Sequence, residues 1–130
     1  LKRFIRENNL NKFVKIYKNI KNPKLFYKKA DLFILSSIYE GLGNVLVEAL
    51  KNNCPVITSS CNSGPMEIIG NGKYGDFFLP RDHRMLAKKI LNHFHNPKRL
   101  QKKLKIPSSH LQKFSLKKNI DNFSELFRKV

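Results

Sequence analysis

Short apolar runs alternate with segments of helical apolar spacing along this chain of 130 residues. Runs rich in β-branched and aromatic residues predict four strands, at 13–17, 31–36, 55–59 and 77–79. Apolar positions at helical intervals predict helices over about 23–29, 44–51, 65–69 and 82–92, and a helical segment from 97 onward that Pro107 interrupts. Alternating strands and helices are typical of an α/β fold with a parallel sheet, covered by helices on both faces.

Three helix starts carry recognisable signals. Proline at the first helical position is expected at Pro23 and Pro65, and Asp82 is the expected N-cap of the helix that follows it. In that helix Leu86, Ile90 and Leu91 are expected to share the apolar face.

The distribution of glycine and charge indicates where a site lies. All six glycines fall within residues 37–80, a stretch whose net charge is −2, whereas the rest of the chain carries +19. Glycine permits positive φ and close backbone approach, which sites for ligands require. The chemistry is therefore expected in the middle of the chain.

Two loops in that stretch follow predicted strands and lead into predicted helices, at residues 37–43 and 60–64. In open parallel sheets, ligands bind beyond the carboxyl ends of the strands. Helix N-termini there offer free N–H groups and a dipole that attract phosphate. The residues alone thus predict an anionic ligand, with a nucleotide favoured.

Composition leaves several partners to weigh. The net charge of +17 suggests nucleic acid or an anionic membrane surface, but only 6 of the 26 basic residues are Arg, which argues against nucleic acid. An anionic membrane surface and simple solvation of the lysines both stay open. Cys54 and Cys61 lack partners at metal spacing and are expected to be buried, reduced thiols, so no metal site is expected; no cofactor is expected either.

The central segment resembles the signature of the group 1 (family 4) glycosyltransferases. The resemblance is carried by ADLFILSSIYEGLGNVLVEAL at 30–50, CPVI at 54–57, SGPMEI at 63–68 and GKYG at 72–75. It extends over roughly residues 13–95. It implies a GT-B fold, of which residues 1–130 would be the C-terminal, Rossmann-like, nucleotide-sugar (donor) binding domain.

The resemblance also implies roles for individual residues. Glu40 would contact the donor sugar at the catalytic centre, and Glu48 would bind the ribose hydroxyls of the nucleotide. Backbone N–H groups of the glycine turn would hold the diphosphate, so the substrate-binding set is Glu40, Gly41, Leu42, Gly43, Asn44, Val45 and Glu48. Glu67 is expected to serve its helix start as a capping residue instead.

Two positions depart from the family pattern. Lys18 and Asn53 stand where the family commonly has Gly; Asn tolerates the left-handed conformation, so the turn at Asn53 is expected to survive. The basic pair that neutralises the diphosphate in this family, and the acceptor domain, are expected before residue 1.

The resulting expectation is transfer of a sugar, with retained configuration, from a UDP-sugar to a glycan or lipid-linked acceptor in cell-envelope polysaccharide synthesis. The protein would act in the cytoplasm or at the cytoplasmic face of the membrane. The isolated chain is expected to be inactive without its missing N-terminal domain. Two alternatives stay open: a truncated nucleotide-sugar-binding module without transferase activity, and a basic domain that binds membrane or nucleic acid.

Overall fold

Three parallel strands form the centre of the protein in a computed structural model that describes residues 1–61 and 64–128. They are β1 (Phe33–Leu35), β2 (Val56–Ser59) and β3 (Asp76–Phe78), in the order β1-β2-β3. In register, Phe33 lies opposite Val56, and Ile57 lies opposite Asp76. The carboxyl ends of all three strands therefore meet at one edge of the sheet.

Helices precede, connect and follow the strands. In chain order they are α1 (Lys2–Glu7), α2 (Lys24–Lys29), α3 (Asn44–Lys51), α4 (Pro65–Ile68), α5 (His83–His95), α6 (Pro97–Lys103), α7 (Ser108–Gln112) and α8 (Leu116–Arg128). The predicted helix over 44–51 is confirmed at both ends. Asp82 is confirmed as an N-cap, because its carboxylate accepts a hydrogen bond from the Met85 N–H at 2.8 Å.

Alternation along β2 explains why both faces of the sheet are covered. Val56 packs with residues of α2, α3 and α4 in the larger apolar cluster, and Ile57 packs with Leu86 of α5 and Leu100 of α6 in the smaller one. Both β2 residues are fully buried. Neighbouring residues of a strand point to opposite faces, so helices lie on both sides. The expected α/β architecture is confirmed.

Residues 13–17 form no strand, contrary to the prediction from their apolar pattern. Phe13 is 82% exposed and Tyr17 58% exposed, and within the described residues no neighbouring strand pairs with them. An extended segment needs a hydrogen-bonding neighbour and a covered face to be stable, and here it has neither. The apolar pattern of residues 13–17 does not show whether a neighbouring strand is present to pair with them.

Two further differences concern helices. α1 was not predicted, since its apolar residues Phe4 and Ile5 are too few to give a period. Leu91, expected on the apolar face of α5, is 57% exposed. That face is completed by His93, which is 6% exposed and whose Nε2 lies 3.0 Å from the Asp31 carbonyl oxygen.

Asp76, at the start of β3, connects the sheet to α5 and α6. The Lys103 ammonium lies 2.7 Å from its Oδ1, the Arg99 guanidinium pairs with its Oδ2, and Lys89 lies 3.8 Å from it. Burial of this carboxyl acts to raise its pKa. The hydrogen bonds from Arg99 and Lys103 and the attraction of Lys103 and Lys89 outweigh that effect, so the pKa lies below its ordinary value. The cluster fixes the last strand against the helices.

Candidate functional site

The loop after β1 is held in place by two serines. The Ser37 hydroxyl donates to Glu40 Oε1 at 2.7 Å, and the Ser59 hydroxyl, at the end of β2, donates to the Ser37 carbonyl oxygen at 2.5 Å. Glu40 is half-buried and Ser59 is fully buried. The carboxylate of Glu40 is therefore anchored at the carboxyl edge of the sheet.

Gly64 brings the second loop against the first. A Cβ atom at this position would overlap the Leu42 backbone and the Gly41 carbonyl oxygen, so no other residue fits without displacing them. The start of α4 thus lies directly beside the loop that leads into α3. The two loops that the sequence singled out form one surface.

Backbone amides at the start of α3 lie beside this surface in the chain and have no helical partners. Gly43 caps the helix with φ of 79°, a left-handed conformation that favours glycine. In the described part of the chain no backbone carbonyl accepts from the amides of residues 42–45, whereas Leu46 N–H donates to the Gly43 carbonyl oxygen at 2.8 Å. Unpaired amides at a helix start are suited to bind an anion.

Glu48 lies one turn into α3, on its exposed side, and is oriented by α2. Its Oε2 accepts a hydrogen bond of 3.2 Å from the Tyr27 hydroxyl. Burial and the nearby carboxylate together raise the pKa of Tyr27 to about 12, so the phenol stays protonated and donates. Tyr27 could not be found from the sequence, because no local spacing relates residue 27 to residue 48.

A cavity of about 320 Å³ lies at the same edge of the sheet. Among the described residues, its lining comes from all three post-strand loops and includes Ile38, Tyr39, Cys61, Pro80 and Arg81. The Tyr39 side chain is 87% exposed. Arg81 was also missed from the sequence, where it stands outside the glycine-rich stretch.

The predicted site residues thus occupy one continuous segment with distinct environments. Glu40 and Leu42 are half-buried, Gly43 is buried, and Gly41, Asn44, Val45 and Glu48 are exposed. Glu67 lies in the first turn of α4, where its charge suits the helix dipole, but its side chain makes no hydrogen bond with the described residues, so the expected capping bond does not form.

Neither metal binding nor a membrane span is indicated by the described residues. No group of three His, Cys, Asp or Glu side chains is placed to hold a metal ion, and no helix combines the length and apolarity that crossing a bilayer requires. Cys54 and Cys61 are buried free thiols, as expected. Burial raises the pKa of the Cys54 thiol.

The parallel sheet with helices on both faces has the fold found in GT-B glycosyltransferases. The structure superposes with a TM-score of 0.86 on sucrose-phosphate synthase from Thermosynechococcus elongatus, at 24% identity, over 98% of this chain and 33% of that one. The family model for glycosyl transferases group 1 matches residues 1–107. The chain belongs to the group 1 glycosyltransferases.

Two relatives illustrate the similarity in sequence. An uncharacterized glycosyltransferase of Methanocaldococcus jannaschii is 42% identical over 69 residues, which are 53% of this chain and 17% of the relative. The N-acetylgalactosamine-N,N'-diacetylbacillosaminyl-diphospho-undecaprenol 4-alpha-N-acetylgalactosaminyltransferase of Campylobacter jejuni is 34% identical over 71 residues, 55% of this chain and 20% of the relative. The matched region is thus about a fifth of the length of these relatives.

Proposed function

We propose that this chain is the donor-binding half of a retaining glycosyltransferase that takes its sugar from a UDP-sugar. The observation that carries the proposal is the arrangement at the start of α3. There the anchored Glu40 carboxylate, a left-handed glycine and unpaired helix amides share one edge of a parallel sheet. This combination offers contacts for a sugar and for a phosphate within one segment.

Each part of the donor has a matching group. The amides of residues 42–45 receive the diphosphate, because they supply N–H donors and the positive end of the helix dipole. The Glu40 carboxylate accepts hydrogen bonds from sugar hydroxyls, and Ser37 fixes its orientation. Glu48, oriented by Tyr27, accepts from the ribose hydroxyls.

The chemistry follows from stabilising the leaving group. As the bond between the sugar and the diphosphate breaks, negative charge grows on the phosphate oxygens, and preoriented amides lower the energy of that state. Glu40 positions the sugar and does not attack it. The acceptor hydroxyl and further cations come from a second domain across the cleft, so the chain by itself is expected to bind donor without transferring sugar.

The acceptor is proposed to be a glycan or a lipid-linked glycan of cell-envelope polysaccharide synthesis, handled at the cytoplasmic face of the membrane. The support is the Campylobacter jejuni relative, whose name specifies a diphospho-undecaprenol-linked acceptor.

Calorimetric titration of the chain with UDP tests the donor proposal. Wild type is expected to bind, and Glu48→Gln to bind roughly tenfold more weakly, since a hydrogen bond to a charged group contributes about 1.5 kcal/mol. Glu7→Gln, which changes an exposed helical glutamate on α1, is the matched control and should leave the affinity unchanged. Equal affinity of the Glu48 and Glu7 variants would contradict the proposed role of Glu48.

A second proposed property is contact with an anionic membrane surface. On α5, Phe94 is 79% exposed and Leu91 57% exposed, one turn apart, with exposed Lys88 and Lys98 beside them in sequence. Exposed apolar side chains among lysines are typical of surfaces that bind anionic lipid.

A further inference from the structure

We propose that Arg81 binds a phosphate group of the acceptor, in the cavity beside Tyr39. This inference rests on the proposed donor site and extends it to the second substrate. Four observations carry it: the backbone of Arg81, its charge environment, the cavity that it lines, and the separation of that cavity from the donor amides.

Arg81 occupies a turn position that arginine rarely takes. The turn spans residues 79–82 and closes with a hydrogen bond of 3.0 Å from Asp82 N–H to the Leu79 carbonyl oxygen. Pro80 and Arg81 are its central residues, and Arg81 has φ of 68°. A positive φ after a central proline favours Gly or Asn, which adopt it with less strain. A bulky cationic residue in a strained position is a reason to look for a role of its side chain.

The charges around Arg81 indicate what its side chain can bind. Among the three loops that follow the strands, at residues 36–43, 60–64 and 79–82, Arg81 is the one basic residue. The Arg81 side chain forms neither an ion pair nor a hydrogen bond with the described residues. The neighbouring Asp82 carboxylate is engaged by the Met85 N–H. The guanidinium is thus available to an external anion.

The cavity determines what kind of anion fits. Its volume of about 320 Å³ exceeds that of a bare phosphate and leaves room for an attached polyol or sugar. Tyr39 lines it and offers a phenol, while Ile38, Pro80 and Cys61 supply an apolar wall. Guanidinium forms two parallel hydrogen bonds with phosphate or with carboxylate, and a phosphate ester carries the larger negative charge, so it is the anion that Arg81 attracts more strongly.

The position of the cavity separates this phosphate from that of the donor. Residues 42–45, whose amides are proposed to receive the donor diphosphate, do not line it. Tyr39 does line it and directly precedes Glu40, the proposed contact of the transferred sugar. Because the cavity adjoins the proposed sugar contact and is not lined by the residues proposed to hold the donor diphosphate, we assign the oxyanion at Arg81 to the acceptor.

Titration of the chain with glycerol 3-phosphate, and separately with UDP, tests the inference by chemical-shift changes. Arg81→Asn suits the left-handed backbone and removes the charge. This substitution is expected to lower the affinity for glycerol 3-phosphate roughly tenfold, the loss typical for a hydrogen bond to a charged group, and to leave the affinity for UDP unchanged. Arg81→Lys keeps the charge but not the pair of parallel hydrogen bonds, so its affinity for glycerol 3-phosphate should lie between those of wild type and Arg81→Asn.

Two controls separate the role of Arg81 from folding and from general charge. Arg81→Asn and Arg81→Gly should melt at or above the wild-type temperature, because both residues relieve the strain of positive φ. Arg84→Asn removes the same charge from an exposed position three residues away and should not change phosphate affinity.

The outcomes distinguish this inference from the donor proposal. Unchanged glycerol 3-phosphate affinity in Arg81→Asn, or an equal loss in Arg84→Asn, would overturn it. An equal loss for UDP in Arg81→Asn would assign the side chain to the donor and also overturn it. If wild type binds glycerol 3-phosphate through Arg81 but does not bind UDP, the phosphate site stands and the donor proposal fails.

Discussion

The hydroxyl of Tyr27 lies 3.2 Å from Oε2 of Glu48, so α2 supplies a hydrogen-bond donor to a carboxylate on α3. Tyr27 is 7% exposed, and its ring packs edge-on against Phe33 of β1, with ring centroids 5.4 Å apart. A buried, well-packed ring holds its hydroxyl in one place. Glu48 is consequently positioned by the core, although it is itself exposed.

Tyr27→Phe is expected to keep the ring packing and lose only this hydrogen bond. The free energy of unfolding should fall by about 1 kcal/mol, and UDP affinity should fall as Glu48 loses its orientation. Urea denaturation and calorimetry measure the two effects. Tyr74→Phe is the control: Tyr74 is equally buried, and its hydroxyl forms no hydrogen bond with the described residues. Equal stability and equal UDP affinity of the Tyr27 and Tyr74 variants would contradict the positioning role of Tyr27.

The raised pKa of Tyr27 predicts a loss of stability in alkali. Because its pKa is about 12 in the folded protein and 10.0 ordinarily, folding favours the protonated phenol. This contribution is complete below pH 10 and is lost as pH rises from about 10 towards 12. Denaturation curves of wild type and Tyr27→Phe at several pH values should converge over this interval. A constant difference across it would show that Tyr27 does not titrate in this way.

Gly64→Ala is expected to separate the two loops of the site. The added methyl group would overlap the backbone of Leu42 and Gly41, and relieving an overlap of this kind costs about 1–3 kcal/mol. Gly41→Ala is a matched control, since a Cβ there meets nothing within 4 Å and its φ is not positive. Thermal melts should show a clear loss for the Gly64 variant alone. Equal melting temperatures would mean that the loops are not in close contact.

Asp76→Asn is expected to destabilise the fold by about 3 kcal/mol, because Arg99, Lys103 and Lys89 would then face one another without the carboxylate. The lowered pKa of Asp76 gives stability that is present above its ordinary value of 3.8 and is lost as pH falls below it. The difference between wild type and variant should thus narrow below about pH 4. Asp121→Asn, at an exposed position on α8, should have little effect. A large effect there would indicate a general charge effect.

Replacing Leu91 and Phe94 by Ser is expected to weaken sedimentation with vesicles that contain phosphatidylserine. Both side chains are exposed, so the fold should not change, while the apolar contribution to membrane contact is lost. Binding by wild type should also fall at high salt, since lysines contribute by attraction to anionic lipid. Met85→Ser, which alters an exposed apolar residue at the start of α5, serves as the control. Undiminished binding by the double variant would exclude α5 as the contact.

Much of the fold was predictable because its signals are local. The helix over 44–51 follows from apolar spacing after a glycine turn, and the Asp82 cap follows from side-chain chemistry within three residues. The strands at β1 and β2 follow from continuous apolar runs, since a strand covered on both faces has no polar side. The strand predicted at 13–17 was wrong, because a strand also needs a neighbouring strand, which its own residues do not specify.

The sequence by itself predicted the segment of the candidate site, residues 40–48, because two glutamates and a glycine turn follow a predicted strand there, in a chain otherwise rich in lysine. Only the tertiary structure decided which distant groups surround that segment. Four contacts join residues far apart in the chain. Tyr27 donates to Glu48, Ser59 donates to the Ser37 carbonyl oxygen, Gly64 lies against the Leu42 backbone, and Arg81 lines the same cavity as Tyr39. Parallel strands bring their carboxyl ends together through crossover connections, so contacts at that edge depend on strand order and helix packing, which no local pattern encodes.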